Sequence, residues 1–345
     1  MKNKRLSVLI GSVCLLLVLA ALPFMAACPA PKEVEPVILK LATPLPPGTI
    51  PVTLAEEWAK RFNEAAEGRY IMEVYPLLLG IPEMLPSVRG GSVEMGSGSF
   101  GEWGTLDARL AAASVPFLTD TFDANHACWL CVGEQVFGPV LEEKFNVKLL
   151  AAEDYGFKDV YGMKPIKTLE DWEGKLVATQ DPVDSKMVTA LGGTPTDIPW
   201  VDELMSLEKG VVDLGVSTCW SALVDIKYYE VIKYATAASI KGTSGGYIIN
   251  LDVFKAMPKD IQKLMVDEAK RFERELYEAL KASDAKAVDE LRKQGVEVYV
   301  LTEAERARWH EASRSVADEY WALIGPDAAK IIQDCAAEAN KQFPR

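Results

Sequence analysis

The stretch that decides the fold runs from Glu170 to Trp220. It opens as Glu170-Asp171-Trp172-Glu173-Gly174-Lys175-Leu176-Val177-Ala178-Thr179 and passes through Ile198-Pro199-Trp200. It closes as Glu208-Lys209-Gly210-Val211-Val212-Asp213-Leu214-Gly215-Val216-Ser217-Thr218-Cys219-Trp220. Read locally, it is a strand, a helix, a second helix and a second strand, with small polar groups and a Trp at the strand end. In open α/β sheets a ligand lies against the carboxyl ends of the strands, so this stretch predicts a ligand site as well as a fold class.

The same alternation continues on both sides. Upstream, Val37-Ile38-Leu39-Lys40-Leu41-Ala42 reads as a strand closed by the Pro44, Pro46, Pro47, Gly48 cluster. Val52 to Glu67 reads as a helix with Leu54, Trp58, Phe62 and Ala65 on one face. Tyr70-Ile71-Met72-Glu73-Val74-Tyr75 is a strand. Pro82-Glu83-Met84-Leu85 starts a helix, and Val93-Glu94-Met95 is a strand running into a Gly96-Ser97-Gly98-Ser99-Phe100 loop. Phe122 to Phe145 reads as helix and Val147 to Ala152 as strand. Strands alternating with helices predict parallel sheets with crossover helices. Downstream, Pro258 to Gln294 has no internal Gly or Pro, and Ile261, Leu264, Met265, Phe272, Leu276, Leu280, Val288 and Leu291 keep helical spacing. One helix of that length is about 55 Å long, against a width of about 40 Å for a domain of ~150 residues. It therefore crosses two domains. Val296 to Val300 is a further strand, and Thr302 to Ile324 and Ala328 to Phe343 are closing helices, the first opened by a near capping box at Thr302-Glu303-Ala304-Glu305.

The chain has 345 residues, 49% of them hydrophobic, and a net charge of −13. That composition describes folded globular material with a full core. The acidity argues against nucleic acid, whose phosphates need clustered Lys and Arg. Residues 1–27 carry a basic start, an apolar stretch from Leu6 to Phe24, and Met25-Ala26-Ala27 before Cys28. This reads as a lipoprotein signal peptide with Cys28 as the lipidated residue. Residues 28–36, proline-rich, read as a tether. The protein is accordingly expected outside the cytoplasmic membrane, periplasmic or at the cell surface, and held there by lipid.

Catalytic signals are sparse. There is no phosphate-binding Gly-x-x-x-x-Gly-Lys loop, no Gly-x-Ser-x-Gly elbow and no His-Glu-x-x-His. Of two histidines, His310 sits on a charged helical face. His126 belongs to His126-Ala127-Cys128-Trp129-Leu130-Cys131, the only cluster with a catalytic look. No second pair completes a tetrahedral metal site, so Cys128 and Cys131 are read as core residues. No cofactor, no metal and no catalytic residue is expected. Exported, tethered, two-lobed and without catalytic groups, the chain reads as a module that closes around a solute.

With those residues in view, the chain resembles the solute-binding proteins of tripartite ATP-independent periplasmic (TRAP) transporters. The likeness is carried by Glu83-Met84-Leu85, Gly91-Ser92-Val93-Glu94-Met95, Val115-Pro116-Phe117-Leu118, Lys164-Pro165-Ile166-Lys167-Thr168-Leu169-Glu170-Asp171-Trp172-Glu173-Gly174, Leu207-Glu208-Lys209-Gly210-Val211-Val212-Asp213 and Tyr228-Tyr229-Glu230-Val231-Ile232-Lys233-Tyr234, in that order. The resemblance implies an α/β, two-lobed periplasmic-binding-protein-like fold with a long helix spanning both lobes. Lobe I is placed at 37–156 plus 243–283 and lobe II at 157–242 plus 284–345. It implies a small-molecule ligand, an organic acid in the family at large, handed to membrane permease subunits. The alternatives are a binding protein of an ATP-driven importer and a lipid-anchored enzyme using His126 and Cys131.

Most members of that family hold the ligand carboxylate with an Arg, which bonds both oxygens at once. Here the matching position is Ala178, and its neighbours Val177 and Thr179 are not Arg either. Without that Arg, the expectation extends from the family's organic acids to a neutral, amidated or aromatic ligand. Lys158 is placed near a second basic position of the family as a point charge. The expected ligand contacts are Pro44, Ser97, Ser99, Phe100, Tyr155, Lys158, Ala178, Trp200, Ser217, Thr218 and Trp220.

Overall fold

β1 (Val37–Thr43) is apolar and β-branched, and buries Leu39, Leu41 and Ala42 before Pro44 removes a ladder donor and ends it. α1 (Ile50–Ala65) carries Pro51 in its first turn, where the missing N–H costs no hydrogen bond, and buries Trp58 and Phe62. β2 (Tyr70–Pro76), α2 (Ile81–Gly90) and β3 (Met95–Ser99) complete the first third. The computed structural model describes residues 35–345. The signal peptide, Cys28 and most of the tether at 28–36 lie outside the described residues.

α3 (Phe122–Val132) continues through a five-residue π-helical turn, Gly133–Phe137, into α4 (Gly138–Phe145). β4 (Val147–Gly162) follows, then β5 (Leu176–Thr179), α5 (Pro182–Leu191), β6 (Thr194–Asp197), α6 (Trp200–Glu208), β7 (Leu214–Gly215) and α7 (Trp220–Asp225). β8 (Tyr234–Asn250), α8 (Lys259–Lys293), β9 (Glu297–Val300), α9 (Glu303–Ile324) and α10 (Pro326–Gln342) close the chain.

All nine strands of the described residues join one sheet, in the order β2-β1-β3-β8-β4-β7-β5-β6, with β9 also beside β8. The sheet is mixed, where alternation of elements predicted purely parallel pairing. β1–β3, β5–β6, β5–β7 and β8–β9 are parallel, but β3–β8, β4–β8 and β4–β7 are antiparallel. The reason is the length of β4 and β8, 16 and 17 residues. They pair from Val147↔Asn250 to Gly162↔Tyr234, with three register shifts, and so run the sheet from one end to the other. The strand expected at Val147 to Ala152 is only the start of β4, because the residues that follow, Glu153, Asp154, Lys158 and Asp159, are charged.

α8 is a single helix of 35 residues, about 52 Å at 1.5 Å per residue. Its first half packs Ile261, Met265, Phe272, Leu276 and Leu280 with Trp58 and Phe62 of α1. Its last turns put Ala287 and Leu291 in a separate cluster with Trp220, Tyr228 and Val298. One helix thus serves two cores, as its length required. Val316, Tyr320, Ile332 and Ala336 join the cluster of Leu85, Trp103 and Trp129. Cys131 on α3 is disulfide-bonded to Cys335 on α10. Cys131 is therefore a cross-link and not a simple core residue. Cys128 is buried and free.

The expected loop at Gly96–Phe100 is strand through Ser99, and Phe100 starts a helical turn. Ser97, Gly98 and Ser99 pair with Tyr247, Gly246 and Gly245 of β8. Its glycines serve close packing: a Cβ on Gly98 would stand 2.6 Å from the Trp103 ring.

Candidate functional site

Segments of five strands, or of the chain just beyond them, converge on one cavity. β1 ends into Pro44 and Leu45. β3 supplies Ser97, Gly98 and Ser99, and the middle of β4 supplies Tyr155 and Lys158. β5 runs out into Gln180, and the chain after β7 brings Ser217, Thr218 and Cys219; Trp200, the first residue of α6, lines both this cavity and the one beside it. The inner chamber measures about 90 Å³. A wider vestibule of about 490 Å³ adjoins it, lined by Leu79, Ile81, Pro82, Ile198, Pro199 and again Trp200.

Lys158 is the one lysine or arginine lining the chamber. It is 6% exposed. Its Nζ lies 3.8 Å from Asp181 Oδ2 and 3.6 Å from Asp184 Oδ2, beyond hydrogen-bond reach of either. Those two carboxylates are taken instead by Lys241, wholly buried, which donates to Asp181 Oδ2 at 2.5 Å and to Asp184 Oδ1. Asp181 is the N-cap of α5, accepting from the Asp184 backbone N–H at 2.8 Å. Burial disfavours its charge, but Lys241 and Lys158 outweigh burial and hold it down to about 2. Asp184 is pushed upward, by burial first and then by the charge of Asp181. Two ammonium groups and two carboxylates leave this layer near neutrality. Glu102, at the chamber wall, is pushed up to about 8 by burial.

A second layer fixes the other side. Glu203 of α6, wholly buried, accepts from Tyr161 Oη at 2.5 Å, from Ser217 Oγ and from Gln180 Nε2 at 3.3 Å. Burial pushes it up to about 7. The Thr218 backbone N–H donates to Tyr161 Oη at 3.0 Å, and Trp200 Nε1 donates to Thr218 Oγ1 at 3.0 Å. Gly215 has to be glycine here, since a Cβ would meet Glu203 Oε1 at 2.0 Å. Gln180, Ser217, Thr218 and Trp200 are thereby held in one preset arrangement of hydrogen-bonding groups around an apolar-walled chamber, which suits capture of a small polar solute.

Of the eleven sequence-predicted contacts, Pro44, Ser97, Ser99, Tyr155, Lys158, Trp200, Ser217 and Thr218 border the chamber. Phe100, Ala178 and Trp220 do not. Phe100 is 1% exposed, stacked on Trp129 with ring centres 5.8 Å apart. Ala178 points into the cluster of Leu207, Trp220 and Tyr228. Trp220 is buried with it and donates Nε1 to Asp159 Oδ2 at 3.0 Å. In each case strand or helix alternation turns the side chain to the core face. Ser97 pairs on the ladder while Phe100 has already entered a helical turn, and Thr179 alone separates Ala178 from Gln180, where β5 has ended.

Sequence reading missed Gln180, Glu102, Thr243 and the buried Lys241, Asp181, Asp184 and Glu203. Gln180 directly follows a recognised strand, and Asp181-Pro182-Val183-Asp184 is a helix-start signal, so both were readable. Lys241 sits in a stretch with no local pattern. The His126–Cys131 reading loses its nucleophile. Cys131 is bonded to Cys335, burial pushes the Cys128 thiol up to about 12, and His126 is pushed down to about 4 by burial against Tyr277.

Residues 41–323 match the family model of bacterial extracellular solute-binding protein, family 7. The 2,3-diketo-L-gulonate-binding periplasmic protein of Escherichia coli is 24% identical over 287 residues, 80% of this chain and 85% of that protein. The ectoine/5-hydroxyectoine-binding periplasmic protein of Ruegeria pomeroyi is 24% identical over 297 residues, 82% of this chain and 87% of its own length. Among solved structures, a Bordetella pertussis extracytoplasmic solute receptor binding pyroglutamic acid superposes with a TM-score of 0.82 at 20% identity, covering 87% of this chain and 99% of that one. A TRAP periplasmic solute-binding protein from Shewanella oneidensis, with bound succinate, reaches 0.81 at 19% identity over 87% and 99%. With an α/β fold, a preset chamber at its strand ends and these matches, the chain belongs to the bacterial extracellular solute-binding protein family 7.

Proposed function

We propose that this receptor captures a small organic solute whose acceptor end, a carboxylate or carbonyl oxygen, lies against Lys158 and the Gln180 amide. The observation that carries the reading is Lys158, the one lysine or arginine lining the chamber, whose ammonium is out of hydrogen-bond reach of its two carboxylate neighbours. A lysine acts as a point charge, so it holds one oxygen where an arginine fork would hold two. The relatives named for gulonate derivatives, pyroglutamate and succinate favour an acid function on the ligand; the absence of arginine from the chamber lining favours a weaker anionic grip.

The solute is bound by closure of two lobes, close to 37–156 plus 243–283 and 157–242 plus 284–302, with α9 and α10 straddling them. β4, β8 and α8 are the elements that pass between the lobes and bend. Trp200, fastened to Thr218, closes over the chamber. The loaded receptor delivers its solute to membrane permease subunits, and lipid on Cys28 with the 28–36 tether keeps it at the membrane surface.

Calorimetric titration of small carboxylates and their amides tests the ligand reading. Binding of at least one carboxylate is expected, with affinity falling tenfold or more in Lys158→Met. Carboxylate binding undiminished in that variant would sink it. Radiolabelled palmitate incorporation that persists in Cys28→Ala would remove the lipid anchor.

A further inference from the structure

Glu153 is 1% exposed, and neither of its carboxylate oxygens has a hydrogen-bond partner. Ser97 Oγ and Tyr247 Oη, also buried, are unpartnered too. These are adjacent groups. Ser99 of β3 pairs with Gly245 of β8, and Gly245 pairs with Glu153 of β4, so the three lie in one row across three strands. Ser97 and Tyr247 form the next row on the same face. The central residue of the first row has no side chain, and Glu153 leans over it: a Cβ on Gly245 would stand 3.5 Å from Glu153 Oε2. Glu153 therefore lies beside Gly245 on the face that carries Ser97 and Ser99; both serines and Tyr155 line the chamber, and Glu153 and Tyr247 stand behind that wall. Burial pushes Glu153 up to about 8 and raises Tyr155 strongly, with the Glu153 charge adding to the second effect.

A buried carboxyl without a partner costs stability, and here only the Tyr155 hydroxyl, itself at the chamber wall, stands near enough to offset that cost. At the opposite end of the chamber the charge of Lys158 is already balanced within its own layer, and Glu102 stands beside it. A plain carboxylate ligand would leave that interior with excess negative charge. A ligand that also carries a hydrogen-bond donor would satisfy both ends.

We propose that Glu153, with Ser97, Tyr155 and Tyr247, is a second polar subsite of the chamber, taking an ammonium, N–H or O–H donor of the ligand, so that the solute carries an acceptor end and a donor end. This rests on the receptor reading above. It places the preferred solutes among zwitterions, lactams and hydroxy acids, and places simple alkyl carboxylates below them.

The test uses the mature chain and matched ring compounds: proline (zwitterion), pyroglutamate (lactam N–H) and tetrahydrofuran-2-carboxylate (no donor), within a wider library of carboxylates with and without donors. Binding is read by thermal shift and calorimetry in wild type, Glu153→Gln and Glu153→Leu. Donor-bearing members should bind at least tenfold more tightly than their donor-free matches. Glu153→Leu should lose that preference while raising the unfolding midpoint of the ligand-free protein, because it removes a buried carboxyl that only Tyr155 stands near enough to offset. A merely structural glutamate would give the opposite sign on stability. Glu153→Gln, which keeps the shape, guards against a folding failure in the leucine variant and should lose preference for the ammonium ligand above all. Donor-free carboxylates binding as tightly as their matches, or a preference unchanged in both variants, overturns the subsite and leaves the receptor intact. No binding by any member of the library overturns both.

Discussion

Removing Lys241 tests whether the chamber is built on a buried four-charge layer. Wild type places Lys158 and Lys241 against Asp181 and Asp184, with Lys241 wholly buried and in direct contact with both acids. Lys241→Met keeps the side-chain volume and leaves two buried carboxylates facing one ammonium. Loss of one partner from a buried ion pair costs about 3–5 kcal/mol. For a body of this size that lowers the thermal midpoint by about 6–10 °C. Asp184→Asn alone leaves an uncompensated ammonium and also destabilises. The double variant restores one positive and one negative charge, Lys158 against Asp181. Its cost should fall short of the sum of the singles by at least about 2 kcal/mol, a coupling of the size direct contacts give. Urea unfolding of the four proteins measures this. In Lys241→Met the Lys158 ammonium is drawn onto the two acids, so carboxylate binding weakens as well. Strict additivity in the cycle, or a Lys241→Met cost below about 1 kcal/mol, would refute the reasoning.

Three further outcomes are expected. Gln180→Arg should strengthen binding of plain carboxylates, whereas Ala178→Arg should unfold or strongly destabilise the protein, because position 178 faces Leu207 and Trp220; carboxylate titrations with circular dichroism separate the two. Reducing Cys131–Cys335, which closes a separation of 204 residues, should lower stability by about 2–5 kcal/mol, read by urea unfolding with and without dithiothreitol. Above pH 6.5, the ordinary value of His126, that histidine no longer contributes to the pH dependence, while Glu102, Glu153, Glu203 and Asp284 still hold protons in the folded state that they have lost when unfolded. Native protein binding more protons means stability falls as pH rises, so the ligand-free midpoint should drop between pH 6.5 and 8.5, and by less in Glu153→Gln.

The long helix was legible because nothing interrupts its apolar spacing from Ile261 to Leu291, and its length alone required two bodies. β1, α1 and β9 were legible from alternation and their Pro or Gly stops. The middles of β4 and β8 were not, since Glu153, Asp154, Lys158 and Lys241 look like surface residues until the neighbouring strand and α5 are in place. The site was legible as a region and unreliable as a set of side chains. Trp220 and Phe100 carry the residue types of ligand contacts, but a one- or two-residue change of facing sends them to the core. Cys335 lies 204 residues from Cys131, and no local spacing announces that pair.

The central claim is that Lys158 anchors a small organic solute in the chamber at the strand ends. Mass spectrometry of solute released by denaturing the purified protein and its Lys158→Met variant tests it most directly. A near-stoichiometric small molecule bearing a carboxylate or carbonyl oxygen is expected in the wild type and is expected to be absent from the variant. No solute in either preparation, or the same solute retained equally by both, would contradict it.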